Sequence, residues 1–369
     1  MVSDVYFVRF DRHTVDIIDK VQLLLKAGKF HEKISEDDLV AIKVHFGERG
    51  SMRHPRPQIL RAIVDFVKSC GGKPFITDTT TLYRGYRSNA IDYIETAAIN
   101  GFDIGTVNAP IIIADGLRGR DYKEIEVGGR LGKVAVASAI AEADCMIVVS
   151  HVKFHVSFGF GGALKNLAMG CVARKTKFAI HSVAKPKIDI SRCIGCGICE
   201  EHCLWGAIKV VNGKAQIDYE KCVGCGDCVS MCPRRAPQVL WDKGEDMLRR
   251  AAEACLGVIK AFRDPSKIYY INILVEITRF CDCGRFLESP LVPDIGMLGS
   301  YDPVAIDKAS VDLINSVPGY VLEGSSYKLL KEGEDKIKYV WPDVNWRALL
   351  EEAERLGIGK MEYRLIPIK

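Results

Sequence analysis

Eight of the fourteen cysteines lie between positions 193 and 232, in the runs CIGCGICEEHC and CVGCGDCVSMC. Both runs have the spacing C-x2-C-x2-C-x3-C, and corresponding cysteines are 29 residues apart, as Cys193 to Cys222 and Cys203 to Cys232 show. Three thiolates at such short spacing wrap one corner of an iron–sulfur cubane. The fourth, placed after a helical turn, points away and ligates a second cluster. The spacing therefore assigns one 4Fe-4S cluster to Cys193, Cys196, Cys199 and Cys232, and another to Cys222, Cys225, Cys228 and Cys203. Glycines at 195, 197, 224 and 226 relieve crowding and let backbone N–H groups turn toward sulfur. A zinc site built from the same cysteines would explain neither the repeat nor Cys232-Pro233.

A second cysteine pattern stands apart from these. FCDCGRF places Cys281 and Cys283 one residue from each other. On an extended backbone both sulfurs would face one side and Asp282 the other. A pair this close makes a strained disulfide with itself, which favours a ligand or redox role. Cys171 is the candidate third soft ligand for an extra metal or cluster there.

Further chemistry-bearing residues follow runs that read as strands. After LVAIKV come His45 and Glu48, and after PFITD the stretch Thr79 to Arg84. After CMIVVS come His151, Lys153, His155, Lys165 and Cys171, and after NILVEIT come Cys281 and Cys283. Ligands of open α/β sheets bind at the carboxyl ends of strands, so these positions form one candidate site. A lone histidine or buried cysteine is more often structural, and only the joint placement raises the site reading. The glycine-rich GFGGALKN either makes a tight turn into a helix or presents N–H groups to an anion, with Lys165 one turn inside. It lacks the P-loop pattern.

The elements that must position these residues alternate. Strand-like runs are DVYFVRF, LVAIKVHFG, KPFITDT, PIIIADG, KVAVAS, DCMIVVSHV and IYYINILVEIT. Amphipathic helical runs include PQILRAIVDFVKSC, DMLRRAAEACLGVIKAF, DPVAIDKASVDLINS and WRALLEEAERLG. Such alternation predicts an α/β fold with a mainly parallel sheet covered by helices. Because a strand follows the cysteine-rich segment, that segment reads as an inserted small α+β domain at 186–240, dividing the α/β domain into 1–185 and 241–369. Inside it, the Asn-Gly of VVNGKAQI predicts a hairpin.

With 48% hydrophobic and 27% charged residues the composition is that of a globular protein. A net charge of +4 with no like-charge block excludes a strong nucleic-acid or membrane-surface partner. The N-terminal stretch lacks a signal-peptide core, and no apolar run approaches membrane length. A cytoplasmic location is expected, and there fourteen cysteines point to metal rather than disulfides.

Residues 186 to 240 resemble bacterial-type two-cluster ferredoxins, with Leu204 in place of the usual proline after the fourth cysteine of the first run. The strings VHFGERG, SHVKFHVSFGFGGALKNLAMGCVARK and CDCGRF followed by PLVPDIGMLGSYDPVAIDKASVDLIN resemble the family catalogued as domain of unknown function 362. Its members commonly carry an embedded ferredoxin segment and are described as iron–sulfur binding. GFGGALKN is also similar to the glycine-rich, lysine-containing loop of lactate-racemase-like proteins, a hint about fold alone.

These readings converge on an iron–sulfur reductase. In it two 4Fe-4S clusters take electrons from a low-potential partner protein and serve a catalytic site of His45, Glu48, His151, Lys153, His155, Lys165, Cys281 and Cys283 acting on a small molecule. Two alternatives use the same residues: an electron-transfer or docking protein without a catalytic site, and a metal- or cluster-handling protein with a labile ion at Cys281 and Cys283.

Overall fold

The computed structural model describes residues 2–10, 16–82, 85–181, 185–203, 205–222, 228, 232–234, 236–239, 244–284, 288–323 and 326–368. Its centre is an eight-stranded sheet. Read across, the strands are Tyr363–Pro367, Ser3–Arg9, Gly296–Ser300, Ile268–Leu274, Cys145–His151, Leu39–Val44, Lys73–Asp78 and Ile111–Ile113. The four pairings from Ile268–Leu274 to Ile111–Ile113 are parallel, as is that of Ser3–Arg9 with Tyr363–Pro367. Gly296–Ser300 runs antiparallel to both of its neighbours. The expected α/β architecture with a mainly parallel sheet is therefore present, with one reversed strand that the sequence reading did not anticipate.

Two apolar layers explain why these strands read as nearly unbroken hydrophobic runs. Val40, Ile42 and Val44 face one layer, where the helices Ile17–Ala27 and Pro57–Ser69 pack. Ala41, Met146, Val148 and Tyr270 face the other, against Ala163–Gly170, Gly244–Ala261, Pro303–Asn315 and Arg347–Arg355. The helices start where local chemistry allows. Asp16 caps Ile17–Ala27 through the N–H groups of Ile18 and Asp19, and Asp302, followed by Pro303 at the first helical position, caps the N–H groups of Val304 and Ala305.

Two strand expectations need correction, and one strand is an addition. KVAVAS forms Gly132–Ala137, but it pairs with Tyr122–Gly128 in a separate hairpin over the helical layer, with a single further bridge from Val136 to Val172, and does not join the central sheet. The run ending in NILVEIT stops as a strand at Leu274. Tyr363–Pro367, an edge strand too short and polar to stand out, was not foreseen.

The cysteine-rich segment follows the helix Arg174–His181. Its Asn-Gly turn forms the expected hairpin, Ile208–Val211 with Lys214–Ile217, with Asn212 at φ 50° and Gly213 at φ 73°. A second strand pair, Pro186–Ile188 with Pro237–Val239, is its counterpart 29 positions away, and Ile188↔Pro237 repeats Ile217↔Ile208. The hydrogen bonds repeat as well. Cys193 N–H donates to Asp189 O at 3.1 Å and Cys222 N–H to Asp218 O at 2.9 Å. Ala207 N–H meets Cys203 Sγ at 3.2 Å and Ala236 N–H meets Cys232 Sγ at 3.4 Å. Cys225 lies outside the described residues. Among those described, no helix is long and apolar enough to cross a membrane.

Candidate functional site

From Leu39–Val44 the chain proceeds through Lys73–Asp78 and Ile111–Ile113 to one edge of the sheet. From the adjacent Cys145–His151 it proceeds to Ile268–Leu274 on the other side. The strand order therefore reverses between Val44 and Val149, which pair. At the carboxyl ends of these two strands a crevice opens, and a cavity of about 160 Å³ fills it. Lys43, His45, Asp78, Arg87, His151, Lys153, His155, Lys165, Lys177, His181 and Cys283 line it, together with Thr79, Thr81 and Leu82.

Lys43 comes from inside a strand and is fully buried. Its Nζ lies 2.8 Å from Asp78 Oδ1 and 2.7 Å from Asn166 Oδ1. Gly170 must be glycine here, because a Cβ would collide with that ammonium group. Asp78 also accepts from Tyr93 Oη and faces His45 Nδ1 at 3.4 Å. Burial would raise the Asp78 carboxyl, but Lys43 and His45 overcome it and hold the group well below the usual carboxylate range. Burial and the Asp78 charge push the Tyr93 phenol far upward, so it remains a donor.

His45 Nε2 stands 3.8 Å from Cys283 Sγ. The sequence Cys283, His45, Asp78 thus has the order of a nucleophile, a base and the group that orients the base. Arg87 Nη1 lies 3.3 Å from the same His45 Nδ1, which it could bond only in the tautomer that does not donate to Asp78, and it is held by Glu48 at 3.1 Å. Glu48, expected as a catalytic residue, does not line the cavity; buried, it supports Arg87.

His151 offers Nδ1 to Asp282 at 2.9 Å and Nε2 to the Val275 carbonyl at 2.7 Å. Lys153 Nζ lies 3.0 Å from the same Asp282 carboxylate. Burial raises the Asp282 carboxyl, yet His151 and Lys153 prevail and keep it ionised well below the normal range. His155 Nδ1 accepts from the N–H groups of Ser157 and Phe158 at 3.1 and 3.2 Å, so its proton resides on Nε2. Burial first, then Lys165, drives its pKa well down and keeps the ring neutral.

The segment 281–284 is a turn, closed by Gly284 N–H on Cys281 O at 3.0 Å, rather than the extended run expected. The two thiols nevertheless converge and hydrogen-bond each other. That bond, with Lys165 and His45 nearby, holds Cys283 well below the thiol range against burial, while the same bond and burial push Cys281 up. Cys283 is therefore the more acidic thiol of the pair. Cys171, expected beside them, packs in the core behind the cavity, its thiol pushed up to about 12 by burial. Among the described residues no three His, Cys, Asp or Glu side chains are grouped as ligands of a single ion.

The glycine-rich loop also differs from its anion-binding reading. Asp307, from Pro303–Asn315, accepts the N–H groups of Ala163 and Leu164 at 2.7 and 3.0 Å. The helix N-terminus is thus occupied by the protein's own carboxylate, and Gly162 has no room for a Cβ beside it. Anion recognition falls instead to side chains. Lys165 and Lys177 have no carboxylate within ion-pair distance among the described residues, and Lys177 bonds Thr79 Oγ1 at 2.7 Å and the Thr80 carbonyl. Burial pushes the Lys177 ammonium down to about 8. Lys43, Asp78, Arg87, Lys177 and His181 were absent from the sequence-based set. An isolated lysine within the apolar LVAIKV and an aspartate closing PFITD were the available signals. Tyr83 and Arg84, included then, lie outside the described residues.

A smaller cavity is lined by Cys193, Cys196, Cys199 and Cys232, together with Gly195 and Gly197. Burial, then the proximity of Cys232, Cys193 and Cys196, raises the Cys199 thiol. The helix Arg174–His181 joins this segment to the larger cavity. Lys177 and His181 line the cavity, while Phe178 packs on Trp205 with ring centroids 5.6 Å apart.

Fold and site together define an α/β protein with a cation-rich ligand cavity at the switch point of its sheet. The chain belongs to the family described as domain of unknown function DUF362, whose model matches residues 40–312. No curated protein matches it. Among solved structures it is similar to the lactate racemase apoprotein from Thermoanaerobacterium thermosaccharolyticum, at 13% identity and a TM-score of 0.36, over 74% of this chain and 51% of that one. A protein from Thermotoga maritima gives 10% identity and a TM-score of 0.38, over 94% of this chain and 60% of its own. The chain thus spans less than two thirds of either neighbour.

Proposed function

We propose that this protein is an iron–sulfur reductase of a small anionic molecule, with an inserted two-cluster ferredoxin-type domain at 186–240 between the α/β parts 1–185 and 241–369. The observation that carries the reading is the helix Arg174–His181, which faces the substrate cavity with Lys177 and His181 and touches the cysteine-rich segment through Phe178.

The donor set suits a cubane. Four thiols surround one small cavity, Cys193 and Cys232 accept backbone N–H bonds from Ala215 and Ala236, and Gly195 and Gly197 take positive φ, Gly195 lying directly against the Gly213 backbone. A cluster spreads its thiolates farther apart than a single ion does, which is consistent with the absence of a one-ion ligand group among the described residues. Cys193, Cys196, Cys199 and Cys232 would hold one 4Fe-4S cluster, and Cys203, Cys222, Cys225 and Cys228 the other. When bound, such clusters supply single electrons at low potential, taken from a partner donor protein.

The remaining chemistry belongs to side chains. Half-buried Lys165 and buried Lys177, with no carboxylate within ion-pair distance among the described residues, hold the substrate's negative charge, since burying an ammonium without a close partner is costly until an anion arrives. Arg87 and Lys153 are fixed by Glu48 and Asp282 and keep the cavity positive without moving. His45, backed by Asp78, and the neutral His155 are placed to move protons.

Anaerobic preparation followed by iron and sulfide analysis and paramagnetic-resonance spectra tests this. The reading expects about eight irons per chain, unchanged in the double variant Cys281→Ser, Cys283→Ser. Folded protein that binds no iron sinks it; a fall in iron in the double variant points instead to an additional centre at those thiols.

A further inference from the structure

Asp282 separates the two thiols of the 281–284 turn, and it is the anchor of that turn. His151 Nδ1 and Lys153 Nζ clamp its carboxylate, and its carbonyl accepts Glu48 N–H at 3.2 Å. With the middle residue fixed, Cys283 N–H donates to Cys281 Sγ at 3.3 Å, which keeps the Cys281 sulfur beside residue 283. The two thiols also have different neighbours. Cys283 lines the cavity and faces His45 Nε2 at 3.8 Å, while Cys281 sits behind it with Lys165 Nζ at 3.9 Å.

A single nucleophile suffices for acyl transfer. A second thiol, hydrogen-bonded to the first and set back from the substrate, has a role where the first adduct is broken by sulfur attack. We propose that Cys281 and Cys283 form a dithiol–disulfide couple that reduces a small carboxylate-bearing disulfide, with Cys283 attacking and Cys281 resolving. The carboxylates are the charges that Lys165 and Lys177 lack.

Cys283 Sγ gives its proton to His45 Nε2 and attacks one substrate sulfur. The S–S bond breaks, a mixed disulfide forms at Cys283, and the first leaving thiolate takes the proton back from His45. Cys281 then loses its proton and attacks Cys283 Sγ. The mixed disulfide breaks, the Cys281–Cys283 bond forms, and the second thiolate leaves and is protonated. One substrate disulfide becomes two thiols, and two protein thiols become one disulfide. Bonding residues two apart leaves that disulfide strained and hence readily reduced. Its return to the dithiol takes two electrons and two protons, and for that step alone the inference rests on the electron supply proposed above.

The test uses full-length protein prepared anaerobically, glutathione disulfide as the probe, quenching by alkylation, and peptide mapping by mass spectrometry. Wild type is expected to lose both alkylation sites, at 281 and 283, and to yield a 281–283 crosslink. Cys281→Ser is expected to accumulate a glutathionyl adduct at Cys283, and Cys283→Ser to lose adduct formation. Wild type that keeps both alkylation sites, or equal adducts on either single thiol, overturns the assignment. Iron measured in the same samples separates the two ideas: crosslink without iron leaves the thiol chemistry standing and removes the proposed electron source.

Discussion

Asp78 carries much of the site's order. Besides Lys43, Tyr93 and His45, its Oδ1 accepts Thr79 N–H at 2.9 Å. Asp78→Asn removes the charge that keeps a fully buried ammonium in place, and breaking a buried pair costs about 3–5 kcal/mol. A urea midpoint lowered accordingly, with Lys43→Met in the same background restoring part of it, is the expected outcome. His181 gives a sign that can be checked by pH. Burial, then Lys165 and Lys177, push its pKa from 6.5 to about 4. The unfolded chain therefore binds the extra proton between those values, and the folded state loses stability as pH falls through that window. The stability advantage over His181→Gln should shrink by about 3 kcal/mol from pH 6.5 to 4, at 1.36 kcal/mol per unit. Taking the difference between the two proteins removes Asp307, whose carboxyl burial pushes up to about 6 and which titrates with the opposite sign. At this scale the sequence revealed residues that follow strands. It hid Lys43 and Asp78, which lie inside them and matter only because separate segments bring each other's counter-charge.

The helix Ala163–Gly170 shows how an element can be legible while its role is not. GFGGALKN predicts a helix start preceded by a tight turn, and both are present. Which anion sits on the free N–H groups is decided by Asp307, 144 residues after Ala163, which also takes Asn272 Nδ2 at 2.8 Å. Local pattern carries no trace of that contact. Asp307→Ala leaves two backbone N–H groups without acceptors and the Asn272 amide with Ser310 Oγ alone, and about 3 kcal/mol of stability is expected to go, at 1–3 kcal/mol per unsatisfied group. Amide exchange at Ala163 and Leu164 should accelerate with it. The helix Arg174–His181 is the matching case on the other side of the cavity. Trp205→Ala removes the ring on which Phe178 rests, and faster exchange across 174–181 in the iron-loaded protein is the expected readout. Unchanged exchange would mean that this contact does not couple the two parts.

The net charge of the whole chain is small, but its distribution in the interior is lopsided. Lys43, Arg87, Lys153, Lys165 and Lys177 converge on one cavity, whereas among the described residues the ion pairs of Asp78, Glu48 and Asp282 answer three of them. A bound dianion therefore stabilises the fold. A dicarboxylate present at a hundred times its dissociation constant should add about 2.7 kcal/mol, seen as a higher melting temperature, and Lys177→Met should abolish most of the gain. Overall architecture was the most legible layer, because alternation of strand and helix periods and the rule of strand ends are properties of the chain as a whole. The exception is Gly296–Ser300, a glycine-bearing run whose pairing depends on distant partners. That strand has a consequence for assembly. Ser3–Arg9 is flanked by Gly296–Ser300 and Tyr363–Pro367, so this strand, once synthesised, finds its neighbours only after nearly three hundred further residues. Until then both of its edges are unsatisfied, which makes the nascent chain dependent on protection from association and its final closure a slow, long-range event.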